Sequence, residues 1–150
     1  MIPDALLDSN VLIAILAEAH EHHAPSLALL NGPKPPRFAI AAHSFAEAYN
    51  TLTHVGPRAV FAVPPRVAWA ALQGLREITT LLGLTPAQTF DAIGFYARAD
   101  GVGPRLYDRL IGEVAITHGV TMIVTWNTNH MQGLFPGLTV TTPAKLGHLT

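Results

Sequence analysis

An α/β fold around a mainly parallel sheet of four to five strands is what this sequence predicts. Short apolar runs alternate along the chain with segments of helical period. The breaks between them carry turn chemistry, as in "GPKPP" at 32–36 and "GVGP" at 101–104. A length of 150 residues suits one compact domain, spanning 1–150.

The elements follow in order. "ALL" (5–7) reads as strand one, and Val11 to about Glu18 as a helix. A second helix is expected over 22–31. "RFAIAA" (37–42) is strand two. Ser44 opens the helix "SFAEAYNTLTH" (44–54), with Glu47 three residues on in a capping-box pattern. A loop over 56–65 leads to a helix over 66–77. Strand three is expected over 78–84. The next helix, 85–99, opens on Thr85, Pro86 and Gln88. The helix over 105–119 ends at Gly119. "TMIVTW" (121–126) is strand four, and "LTVTTP" (138–143) an edge strand stopped by Pro143.

Composition narrows the function. Hydrophobic residues make up 49% and mean hydropathy is +0.31, enough for a substantial core. Charged residues make up only 13%, so part of the surface is expected to lie against a partner. Cysteine is absent, which excludes disulfides, thiolate chemistry and cysteine-bound zinc. No apolar run is long enough for a membrane span, and no basic region precedes the first apolar segment, so a cytoplasmic protein is expected. A net charge of −1 offers no global attraction to nucleic acid, so phosphate binding needs a local cluster.

With ten acidic residues in all, each position carries information. Asp8 lies just past the carboxyl end of strand one, the edge where parallel sheets bind ligands. Capping the next helix would also explain it, although Asn10 lies nearer that helix. Glu47 is explained either by the capping box or by a site. Asp108 shares a helix face with Ile111, Gly112 and Ala115. A carboxylate there needs pairing, with Arg105 or Arg109, or a cation. Asn127 follows strand four within the polar group Thr125, Asn127, Thr128, Asn129 and His130. Three acids and an amide meeting at one sheet edge would form a hard-oxygen site for magnesium or manganese. The histidines of "HEHH" (20–23) read instead as a solvated surface.

The ordered set of motifs resembles the PIN-domain ribonucleases, in particular the VapC-type toxins of toxin–antitoxin pairs. "LLDSNVLIAIL" is similar to their N-terminal motif, "HSFAEAYNTLTH" to their second, and "YDRLIGEVAITHGVTMIVTWN" to their third block. The resemblance spans residues 4 to about 143. It implies a three-layer α/β/α sandwich and RNA hydrolysis dependent on Mg2+ or Mn2+. It makes Asp8, Glu47 and Asp108 the metal ligands, with Asn127 in support as a fourth catalytic position. Ser9 would orient Asp8 or a metal-bound water, and Arg98, Arg105 and Arg109 would contact RNA phosphates. The pair that often includes an acid after the fourth position is His130 and Met131 here, which bears on whether one or two metals bind. The implied partners are a VapB-like antitoxin and a second copy of the chain, docking on "RVAWAALQGL" (66–75) and "HAPSLALLN" (23–31). A haloacid-dehalogenase-like phosphatase would need an acid where Asn10 stands. A PIN-fold binding module without activity would have no use for three acids.

Overall fold

A computed structural model describes residues 1–147 of the chain. Its five strands are β1 (Ala5–Leu7), β2 (Phe38–Ala41), β3 (Thr80–Leu82), β4 (Met122–Val124) and β5 (Thr139–Thr141). All pair in parallel, in the order β3-β2-β1-β4-β5. The helices are α1 (Ser9–Leu16), α2 (His23–Ala28), α3 (Ala42–Thr53), α4 (Pro65–Glu77), α5 (Pro86–Arg98), α6 (Arg105–Thr117), α7 (Thr128–Leu134) and α8 (Pro143–Gly147).

The central strands are short and apolar on both faces because both faces are covered. Leu7, Ile40 and Val124 face one layer, where Val11, Leu12, Leu72 and Leu75 come from α1 and α4. Leu6, Ala39 and Ile123 face the other, against Ile111, Val114 and Ala115 of α6 and Met131 of α7. The sheet is thus the middle of three layers, as expected. Its register sets Leu7 beside both Ile40 and Val124. The two edge strands are the exposed ones, and β3 and β5 each begin on an exposed threonine.

The small face of α6 is explained by the neighbour it meets. The Phe135 ring lies where a Cβ on Gly112 would stand, so only glycine lets this helix seat. Gly119 takes φ +72 after the last turn of α6 and turns the chain towards β4. The box at α5 forms in full: Thr85 Oγ1 accepts from Gln88 N at 3.1 Å, and Thr85 N donates to Gln88 Oε1 at 2.9 Å.

Three expectations need correction. The first helix begins at Ser9, not Val11, and its cap is Asp8, which accepts from Ser9 N at 2.7 Å; Asn10 does not cap it. The third helix begins at Ala42, directly from β2, so Ser44 is already inside it and caps nothing. Ser44 is buried with no partner for its hydroxyl, and Glu47 is free of any capping box. On α2 and just past its end, Leu29 is buried and Leu27 and Leu30 pack on the core, so these leucines line the interior. Helices α7 and α8 were not expected from the sequence, being short, α7 opening on the polar run Thr128 to His130 and α8 on Pro143, where an edge strand was expected to stop.

Candidate active site

The chain runs outward from β1 through β2 to β3, then returns to lay β4 on the other side of β1. The direction of winding therefore reverses between β1 and β4. Beyond the carboxyl ends of two such strands the following chain segments diverge and leave a crevice. Asp8 follows β1 and Thr125 follows β4, so the two enter that crevice together.

Asp8 is 3% exposed. Its Oδ1 accepts the Ser9 amide, and its Oδ2 accepts the Thr125 hydroxyl at 2.8 Å. Thr125 Oγ1 in turn accepts from Asn10 Nδ2 at 3.0 Å and from the Asn127 amide at 3.1 Å. Asn10 Oδ1 takes the Trp126 amide at 3.1 Å. A polar lattice thus ties the end of β1 to the end of β4, and it fixes the Asp8 rotamer from both sides. Thr125 and Asn10 were not anticipated as site residues. The signal was available in the Thr-x-Asn pattern ahead of Asn127 and in the placement of Asn10 within the first motif.

Glu47 enters from α3. Ser9 Oγ lies 3.4 Å from Asp8 Oδ1 and 3.5 Å from Glu47 Oε2, so one hydroxyl touches both carboxylates. Glu47 Oε1 is buried and unpartnered, with His43 Nε2 at 3.8 Å, beyond hydrogen-bond reach. Asp108 enters from the first turn of α6 and is half-buried.

The electrostatics show that these three acids sense one another. Burial pushes Asp8 up to about 6, reinforced by the charge of Asp108 and opposed by the Thr125 and Ser9 hydrogen bonds. Burial pushes Glu47 up to about 6 as well, with the charges of Asp8 and Asp108 adding to it. Asp108 is raised by burial, against the pull of His130 and Arg105. Crowded carboxylates with raised pKa values attract a cation, which relieves both the repulsion and the desolvation.

The donor set is all hard oxygen, and Glu47 Oε1 has a lone pair to spare. That chemistry fits Mg2+ or Mn2+. Among the described residues no three His, Cys, Asp or Glu side chains are grouped closely enough to hold a metal ion by themselves. Magnesium does not need such a group, since it commonly keeps several waters and takes one or two carboxylates.

The other expected residues divide. Asn127 is exposed, and its Nδ2 lies 3.1 Å from His130 Nδ1. Among the three arginines, the charge of Arg105 acts on Asp108. Arg109 does not pair with Asp108: its Nη2 bonds Glu113 Oε1 at 2.7 Å, between the rings of Phe95 and Phe135. Arg98 is exposed at the end of α5, beside Gly94. The histidines of 20–23 are not simply solvated. His22 stacks on Trp126 with centroids 3.9 Å apart, and His23 Nδ1 meets Ala14 O at 2.8 Å.

A family model described as the PIN domain matches residues 5–132. Among solved structures, a Mycobacterium tuberculosis toxin, VapC20, described as cleaving the sarcin-ricin loop, is similar over 86% of this chain and 94% of its own, with a TM-score of 0.67 at 17% identity. VapBC2 from Rickettsia felis, bound to a promoter DNA fragment, is similar over 92% and 97%, with a TM-score of 0.62 at 16% identity. FitAcB from Neisseria gonorrhoeae is similar over 93% and 97%, with a TM-score of 0.59 at 17% identity. No curated protein matches the sequence significantly.

Proposed function

Because this chain belongs to the PIN domain family, we propose that it is a metal-dependent endoribonuclease acting as the toxin of a type II toxin–antitoxin pair. The reading is supported by the charge of Asp108 acting on both Asp8 and Glu47, and by the Ser9 hydroxyl that lies 3.4 Å from one and 3.5 Å from the other. The VapC, VapBC and FitAcB structures it resembles support the toxin assignment.

In this reading the whole chain, 1–150, is one PIN-like domain. Asp8, Glu47 and Asp108 hold a divalent cation, Mg2+ or Mn2+. When bound, the ion supplies charge to neutralise the scissile phosphate and acidity to an attacking water. Thr125 and the Ser9 amide aim the Asp8 oxygens, and the Ser9 hydroxyl sets the distance between Asp8 and Glu47. Asn127 supports the site through the backbone bond of its amide to Thr125. Arg105, at the mouth beside Asp108, and Arg98 contact RNA phosphates; Arg109 contributes by holding the α6 face in place.

The partners are an RNA, a VapB-like antitoxin and a second copy of the chain. A cleft of about 440 Å3 between α3, α4 and β3 is lined by Phe45, Trp69, Leu72 and Leu81, with Arg76 and Glu77 at its edge. An amphipathic antitoxin helix fits such a surface. Among the described residues no helix is long and apolar enough to cross a membrane, and a cytoplasmic toxin agrees with that.

The decisive experiment is cleavage of cellular RNA by purified protein with Mg2+, with Mn2+ and with EDTA. Cleavage that needs the metal and disappears in Asp8→Asn is expected. Metal-independent cleavage, or full activity in Asp8→Asn, refutes the assignment.

A further inference from the structure

Beside the acids lies a second cleft, of about 370 Å3, that the mechanism above does not use. Asn10, Ile13, His20, Thr51, Val60 and Phe61 line it. Two helices carry it next to the site. Thr51 lies one turn of α3 beyond Glu47, and Ile13 one turn of α1 beyond Ser9, about 6 Å along each axis. Asn10 belongs to both places, since its amide also bonds Thr125 and the Trp126 backbone.

The chemistry of this cleft differs from that of the acids. Its lining includes no lysine or arginine, and the exposed carboxylate of Glu21 stands at its rim. A phosphate is therefore a poor occupant. Aromatic rings are its main feature. Phe61 and His20 stack with centroids 6.2 Å apart and planes at 19°, His20 lies 5.7 Å from His22, and His22 stacks on Trp126. Four rings thus run from the cleft to the residue after Thr125. His20, His22 and Phe61 are all partly exposed. Burial and the neighbouring His22 lower the His20 pKa, which favours the neutral ring that stacks like an aromatic base.

The backbone is strained to build this wall. Ala62 takes φ +47, a left-handed conformation that is unfavourable for a residue with a Cβ. On either side of it, Phe61 and Val63 pack against Ala17, Leu52 and Ala68, and Val63 N donates to Leu52 O at 2.7 Å.

The geometry points to a base subsite: an unpaired nucleobase of the RNA, next to the nucleotide at the acids, docks in this cleft against His20 and Phe61, with the Thr51 hydroxyl offering a polar group to its edge. Unpaired RNA bases are commonly recognised by stacking on aromatic side chains combined with edge hydrogen bonds. The cleft would then supply sequence or shape selectivity while the acids supply the reaction. This inference rests on the ribonuclease reading.

The test separates binding from cleavage. Affinity for a fluorophore-labelled, unstructured RNA is measured by anisotropy in EDTA, and single-turnover cleavage of saturating RNA is measured with Mg2+. His20→Ala and Phe61→Leu are each expected to weaken binding about tenfold, while Phe61→Tyr retains it. Cleavage of the RNA once bound should stay near that of the unaltered protein. A substrate with one abasic nucleotide beside the scissile phosphate should lose the same affinity towards the unaltered protein and none further towards Phe61→Leu. His20 lies outside the apolar clusters, so His20→Ala carries the test if Phe61→Leu does not fold.

Unchanged affinity in His20→Ala and in folded Phe61→Leu, with cleavage intact, overturns the subsite and leaves the ribonuclease reading standing. Lost inhibition by the antitoxin with RNA affinity intact assigns the cleft to that protein and overturns it too. If the unaltered protein neither binds nor cleaves RNA, both readings fall.

Discussion

Asp8 caps α1 with one oxygen and turns the other into the crevice. The Ser9 amide takes one oxygen, and the other faces Thr125 across the crevice. In the folded, ion-free protein Asp8 and Glu47 keep their protons up to about pH 6, whereas the unfolded chain releases them near 3.8 and 4.5. The folded state therefore binds more protons between those limits. Stability falls as pH rises from about 4 to about 6 and levels off above that. Thermal melts of metal-free protein across this range should show that slope, and Asp8→Asn should make it shallower, leaving the part due to Glu47. The same variant should melt a few degrees higher at pH 7.5, on the order of 1 kcal/mol more stable, because a buried charge is gone. An Asp8→Asn protein that melts lower at pH 7.5 would contradict this account of Asp8. Thr125→Val should weaken Mn2+ binding about tenfold by calorimetry, since it removes the hydroxyl that aims Asp8. Asn127→Asp should tighten it by adding an anionic oxygen; equal or weaker affinity would mean that Asn127 stands clear of the ion.

At the scale of the element, two helix starts with similar sequences behave oppositely. Thr85 and Gln88 form their box, so Thr85→Ala should cost about 1 kcal/mol in denaturant unfolding. Ser44 and Glu47 have the same spacing, yet α3 starts earlier, and Ser44 has no partner. Ser44→Ala should accordingly be neutral or slightly stabilising, because it removes a buried hydroxyl without a bond. A loss as large as that of Thr85→Ala would show that Ser44 caps after all. The reason α3 starts earlier is continuity: Ala41 ends β2 with extended backbone, and Ala42 enters the helix at once. That displacement moves Glu47 away from the helix terminus and frees it for the crevice. A second element, α6, depends on a missing Cβ. Gly112→Ala should cost several kcal/mol through collision with Phe135, unless that ring is displaced along with α7.

At the scale of the whole molecule, the low charge content is explained by where apolar surface remains. Trp69 is 58% exposed and Phe90 77%, on α4 and α5. Such side chains are expected to be covered in the working assembly. Sizing across a dilution series should show a dimer, and Trp69→Glu should weaken antitoxin binding at least tenfold while RNA cleavage by the free protein persists. A stable monomer at high concentration, with Trp69→Glu still fully inhibited, would remove both interfaces from the reading.

The sequence by itself determined the strands and helices α1 to α6, and it singled out the candidate acids. Strand runs, the Thr85 box, the Gly119 stop and the small face of α6 are local signals, each set by backbone propensity or by spacing along one element. The carboxylates stand out because each is costly where it lies, and the ordered motifs carry the family resemblance at a distance. The tertiary structure decided what those residues touch. Whether Asp8 or Asn10 caps α1, whether Glu47 belongs to a box or to a crevice, and whether Arg109 pairs with Asp108 or Glu113 are contests between partners remote in sequence. Thr125, 117 positions from Asp8, holds it only because β4 returns to lie beside β1. The aromatic wall of Phe61, His20, His22 and Trp126 is likewise assembled from three separate segments. No local pattern encodes such meetings, since they are fixed by strand order and by the packing of helices on the two faces of the sheet.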